Sequence, residues 1–388
     1  MPTTAAPPLT EAGTAGAIPR GGRVLLAPVT ITPTKPLTPS HLKFLLWTDV
    51  MFRATAQLTD CAYRYSHTTY HLTEQTLGFW AYLDRTRGDC DYTDLTEKQI
   101  GELYVAYRSD DRRTDAVELR AYADAVEHQG WVHPVSVRVL RSWTAHFARI
   151  GLHDPGLLAH QPPGLSLDEA LEQLRALDVL LDMRGHGGPV YLDHTRHGLP
   201  LRQIVGRDGR PNYLACAMRE LLPMALEHDE VVLLHDPELG PDYHLLERTL
   251  TALGARARRF AIGRVPIDGT VRSARHGGWQ GYDAGSLLDA VGADHAPDVV
   301  RLGLRLYFIA VLGPGADQSF RHDLLRQCMH RADRLLSGTG RPAEESPPAF
   351  LARHHRGHLF VHPYRLTSAL LARHRPPPPA ALLSEVYL

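Results

Sequence analysis

The sequence predicts an α/β protein built on a parallel sheet, with a helical insertion and a short C-terminal helical region. Three observations carry this. Residues 24–31 (VLLAPVTI) are apolar and partly β-branched, bounded by glycine and proline, and read as a buried strand. A Pro/Thr-rich turn over 32–40 follows, then a helix from about His41 with Leu42, Leu45, Leu46, Val50 and Met51 at helical spacing and Ser40 placed to cap it. Such a strand–loop–helix unit is the usual opening of a nucleotide-binding sheet. Second, residues 230–234 and 257–265 read as strands flanking a helix over 243–253, a β-α-β run that fits parallel pairing. Third, residues 95–190 are dominated by helical periodicity and charge, as an insertion would be, with further strand signals at 189–192 and 204–205.

The division of the chain follows. Residues 1–22 read as a flexible arm, 23–282 as the sheet-containing unit with its insertion at about 95–190, and 283–336 as a helical stem. A Gly/Pro/Glu linker and a tail interrupted by polyproline occupy 337–388. No internal repeat is visible.

Composition narrows the function classes. The 388 residues are 44% apolar and 22% charged, an ordinary globular balance that excludes a wholly disordered or fibrous chain. No run reaches the roughly 18 apolar residues a spanning helix needs, and the N-terminus has no apolar signal core. A soluble, cytoplasmic protein with no membrane partner is expected. With 42 basic residues against 43 acidic ones, the net charge of −1 gives no global field for nucleic acid. Only three of the basic residues are lysines, Lys35, Lys43 and Lys98, a ratio that coding bias accounts for. Four dispersed cysteines without a C-x-x-C pair fit reduced thiols. Among 23 histidines, the cluster His354, His355, His358 and His362 and the pair His194 and His197 sit on no converging ligand pattern. They are expected as surface or loop histidines, with no metal site.

The loop from Ile31 to Lys43 is the most informative segment. A strand end feeding a helix N-terminus offers backbone N–H groups and a positive dipole end to phosphate, and Lys35 and His41 can add cationic or donor groups there. Alone, it is better read as a capped helix with incidental polar residues.

Three segments in order resemble class I aminoacyl-tRNA synthetases, the arginyl family most closely. Lys35-Pro36-Leu37-Thr38-Pro39-Ser40-His41-Leu42-Lys43 is similar to that family's Lys-Pro-Phe-His-Val-Gly-His-Leu-Arg form of the HIGH signature, with Thr38 for the first histidine and Ser40 for the glycine. The helix after it, with Asp49, Val50 and Arg53, also looks like the synthetase helix. Residues 205–215 (VGRDGRPNYLA) resemble the family segment that carries the amino-acid-pocket tyrosine, here Tyr213. Residues 268–278 (DGTVRSARHGG), then 287–294 (LLDAVGAD), look like a decayed KMSKS loop and the helix behind it. The resemblance spans about residues 24–330.

The resemblance implies a Rossmann-like class I domain that uses ATP and Mg2+ to activate an amino acid. It implies Lys35 and Arg275 on the phosphates, and His41 with Thr38 on the α-phosphate. Ser40, Lys43, Ser273 and Gly277 would bind ATP. Thr32, Tyr213, Ala217 and Asp236 would meet the amino acid. Ala274 stands where the loop lysine belongs, and Lys35 occupies the position thought to compensate for that loss. The carboxylates with which the family reads arginine fall near Ala27 and at Ala217, so the pocket is expected to be more apolar and not arginine-specific. The tRNA-binding parts of the family are largely missing from the alignment, so tRNA is not the expected partner.

Three readings result. The leading one is an ATP-dependent ligase that forms an aminoacyl-adenylate and passes the acyl group to a small-molecule amine or hydroxyl. A non-catalytic synthetase paralogue that binds a nucleotide, an amino acid or a partner protein is the second, and a genuine aminoacyl-tRNA synthetase is the third.

Overall fold

The computed structural model describes residues 22–112, 114–271, 277–338, 346–355, 357–372 and 378–388. The first strand, β1 (Arg23–Pro28), leads through a loop into helix α1 (Pro39–Ala56), which returns to β2 (Asp60–Tyr63) beside and parallel to β1. Five helices follow: α2 (Glu74–Arg87), α3 (Glu97–Ser109), α4 (Ala116–Gln129), α5 (Pro134–Ile150) and α6 (Leu167–Ala176). Then β3 (Leu180–Asp182), β4 (Val190–Leu192) and β5 (Arg202–Val205) form a separate antiparallel sheet, and α7 (Tyr213–Ala225) leads back to the main one. There β6 (Glu230–His235), α8 (Gly240–Leu253) and β7 (Ala257–Ala261) complete the parallel order β2-β1-β6-β7. The predicted α/β class and the β-α-β run are both present.

The central strands β1 and β6 are buried on both faces, and the alternation of their side chains assigns each to a layer. Val24, Leu26, Val232 and Leu234 pack into the cluster that holds α1 and the C-terminal helices. Leu25, Ala27, Val231 and Leu233 pack into the other, with α7, α8 and β4. The chain moves outward from β1 to β2, then crosses to β6 on the opposite side. That reversal opens a crevice beyond the carboxyl ends of β1 and β6, where ligands bind in open α/β sheets.

Two local expectations are corrected. Helix α1 starts at Pro39 with Thr38 as N-cap, so Ser40 lies inside the first turn and does not cap it. Proline suits the first helical position, since its missing N–H costs nothing there. The histidines expected at the surface are also partly buried: His194 is fully enclosed with Nε2 2.9 Å from the Thr249 hydroxyl, and His354 and His355 are buried. Their Nδ1 atoms lie 2.9 and 3.0 Å from the Phe350 and His358 carbonyl oxygens.

The C-terminal part, α9 (Ala284–Gly292), α10 (Pro297–Arg305), α11 (His322–Ser337), α12 (Pro347–Ala352) and α13 (Pro363–Leu371), folds back on this body. Leu359 N–H donates to the wholly buried Glu230 carboxylate (2.7 Å), and Val361 N–H to the Thr55 hydroxyl (3.0 Å). The His-rich segment therefore closes the start of β6, where Arg258 also pairs with Glu230.

Burial holds several imidazoles neutral: His67, His194 and His362 are pulled down to about 4 from the ordinary 6.5, and His71 lies well below it. Their folded values lie below their unfolded ones, so the unfolded chain binds more protons between about pH 6.5 and 4. Stability is then complete above pH 6.5 and lost as pH falls. We expect the urea midpoint to drop clearly from pH 7.5 to pH 5. A midpoint unchanged down to pH 4.5 would contradict the burial of these rings.

Candidate active site

A cavity of about 630 Å³ fills the crevice, within the usual size of small-molecule sites. Its wall is built from the exit of β1 (Thr30, Ile31, Thr32), the first turn of α1, the loop before α7, and residues just after β6 and β7. Of the residues singled out from sequence, it gathers Thr32, Lys35, Thr38, Ser40, His41, Tyr213 and Asp236.

The α1 end carries the charge chemistry. Thr38 N–H donates to His41 Nδ1 (3.1 Å). Burial, with the nearby Lys35 and Arg264 charges, pulls the imidazole down to about 3. A neutral ring whose Nδ1 accepts must carry its proton on Nε2, so His41 is a fixed donor at physiological pH. Lys35 is buried, with Nζ 5.1 Å from the centre of the Tyr104 ring. Ser40 Oγ accepts from Val265 N–H (3.0 Å) and so ties α1 to the exit of β7.

Tyr213, on the same cavity wall, is the first residue of α7. Asn212 caps that helix through its side-chain oxygen, which accepts from Ala215 N–H (3.0 Å). Asp236 caps the turn after β6 and pairs with Arg264, whose guanidinium also bridges to Glu238 (2.8 Å).

Other expected residues lie elsewhere. Lys43, expected on ATP, is buried on α1 and donates Nζ to the Gly315 carbonyl oxygen (2.6 Å). Burial pulls its ammonium down to about 8, against the opposing Asp317. It faces away from the cavity because helical geometry puts positions 41 and 43 some 200° apart. Ala217 is packed into the core beneath the sheet, and Gly277 lies outside the cavity wall. Ser273, Ala274 and Arg275 fall outside the described residues.

Sequence reading missed Arg264, Thr73 and Gln75, all on the cavity wall. Arg264 follows β7 directly, and the rule that ligands sit beyond strand ends could have found it. For Thr73 and Gln75 no comparable signal exists, because α2 brings them in from outside the sheet.

The fold is similar to that of two solved arginyl-tRNA synthetases at low identity. Among solved structures, arginyl-tRNA synthetase from Thermus thermophilus is similar at TM-score 0.58 and 14% identity, over 94% of this chain and 79% of that one. Arginyl-tRNA synthetase from Plasmodium falciparum is similar at TM-score 0.52 and 12% identity, over 85% of this chain and 61% of that one. No family model and no curated protein sequence matches the chain.

Among the described residues no helix is long and apolar enough to cross a membrane, and no group of three or more His, Cys, Asp or Glu side chains could hold a metal ion.

Proposed function

We propose that this chain is an ATP-dependent ligase that activates an amino acid as its adenylate and passes the aminoacyl group to an amine or hydroxyl acceptor. The observation that supports it most is the α1 start in the switch-point cavity, with Lys35, Thr38 and a neutral, Nε2-protonated His41 converging there. In the first step an α-carboxylate oxygen attacks the α-phosphorus of ATP. The bond to the bridging oxygen breaks, and pyrophosphate leaves with the negative charge. Charge develops on phosphate oxygens, so a fixed donor, a buried ammonium and a helix dipole stabilise that transition state more than the ground state. In the second step the acceptor's nucleophile attacks the carbonyl carbon, loses its proton to solvent, and AMP departs.

Lys35 and His41 are thus assigned to phosphate, joined by Arg275 from the resemblance. Tyr213 and Thr32 are assigned to the amino acid. Magnesium would arrive on the triphosphate, held mainly by phosphate oxygens and water, as is usual for this ion. The balanced charge supports a small acceptor over tRNA, since nucleic-acid binding draws on many phosphate contacts.

Amino-acid-dependent ATP–pyrophosphate exchange, screened over the twenty standard and several non-protein amino acids, tests the reading. We expect exchange with at least one amino acid, and none with arginine. No exchange with any would leave the non-catalytic reading, and stable charging of bulk tRNA would replace the small acceptor with tRNA.

A further inference from the structure

Part of the cavity wall is a collar drawn from three stretches of chain. Tyr213 donates its hydroxyl to the Thr30 carbonyl oxygen (2.5 Å), and its ring packs on Tyr70 with centroids 4.4 Å apart. Thr73 donates its hydroxyl to the Tyr70 carbonyl oxygen (2.8 Å). Gln75 donates its side-chain amide to the Thr32 hydroxyl (2.8 Å). Thr32 lies two residues from Thr30, so the ring of contacts closes on itself. Every member is uncharged, and burial holds the Tyr213 phenol well above its usual pKa, so it remains a donor.

The rest of the wall differs. Asp208 is paired with Arg210, Asp236 with Arg264, and Asp242 with Arg202. Glu74 is exposed to water, where an ion pair contributes little.

We propose, resting on the amino-acid-activating reading above, that this collar receives the substrate's side chain and selects a neutral polar one, with Gln75 as the specificity-determining residue. A cationic side chain would lose its water there without meeting an unpaired buried carboxylate, and the collar itself offers an anionic one no cation. An apolar side chain would make no use of the remaining donor and acceptor of the half-buried Gln75. Sites built to hydrogen-bond their substrate reject the analogue lacking that group by about 10⁴-fold.

The test pairs wild type with Gln75→Glu, in the full chain. The substitution adds a carboxylate in the first turn of α2, where the helix dipole favours negative charge, so folding is preserved. Two measurements are made: pyrophosphate exchange, and thermal-shift titration with single amino acids from the neutral polar, apolar, cationic and anionic classes. Wild type should prefer a neutral polar amino acid in both. Gln75→Glu should raise its KM or apparent Kd at least tenfold, gain response to lysine, ornithine or arginine, and leave the KM for ATP unchanged.

Binding that follows this pattern without exchange would sink the ligase reading and keep the collar. Exchange that prefers a charged or apolar amino acid, or is indifferent to Gln75→Glu, would sink the collar and keep the ligase. No binding of any amino acid would overturn the collar assignment outright.

Discussion

Replacing Arg305 with methionine is expected to lower the unfolding free energy by about 3–5 kcal/mol, because it strips a buried carboxylate of its main partner. Arg305 is wholly enclosed, and its Nη2 donates to Asp49 Oδ2 (2.6 Å) and to the Gly151 carbonyl oxygen (2.9 Å), while Nη1 reaches the Ile150 carbonyl oxygen (2.9 Å). Asp49 in turn accepts from Arg53 Nε (3.0 Å) and His153 N–H (2.8 Å). The network pins α10 to the middle of α1 and to the end of α5, so it holds the helix whose first turn forms the site. Methionine fills most of the volume but supplies none of these donors. Urea denaturation followed by circular dichroism measures the loss. The double variant Asp49→Leu with Arg305→Met should recover part of it, since removing both charges costs less than orphaning one. A loss under about 1 kcal/mol for the single variant would mean that Arg53 and water compensate.

Lys35→Ala is expected to reduce pyrophosphate exchange by about 10²–10³-fold, the usual cost of removing one preorganised group that meets developing charge. The loss should fall on kcat, since charge build-up belongs to the transition state. Exchange that survives the substitution would show that the phosphates are neutralised elsewhere. His41 offers an internal control: a ring with a pKa of about 3 stays neutral, so it should contribute no ionisation to the exchange rate between pH 5 and 8.

The sheet was legible because its strands are unlike their surroundings. Residues 24–28 and 231–234 are continuous apolar runs, as strands buried on both faces must be. The start of α1 was legible to within two residues, and the miss came from weighting Ser40 over the Thr38-Pro39 pair. Strand β2 went unread, since Asp60–Tyr63 is short and only half-buried. Lys43 shows why side-chain direction was not legible: its partner Gly315 lies 272 residues away, and only folding reveals that the ammonium faces the protein interior. The collar has the same character. Thr32 and Gln75 are 43 residues apart on a loop and a helix, and no local pattern says that their side chains meet.

The bond from Leu359 N–H to Glu230 bears on the order in which the molecule can be made. Strand β6 is the central link between β1 and β7, yet its first carboxylate finds part of its partnership 129 residues downstream. While the chain is being synthesised, β1, β6 and β7 can all have left the ribosome with Glu230 still open to water. The nascent sheet then keeps a hydrated acidic end until the segment around Leu359 arrives to seal it. Truncation between α11 and residue 359 should leave a species that has sheet and helix but unfolds without sharp cooperativity, vulnerable to proteases at the start of β6.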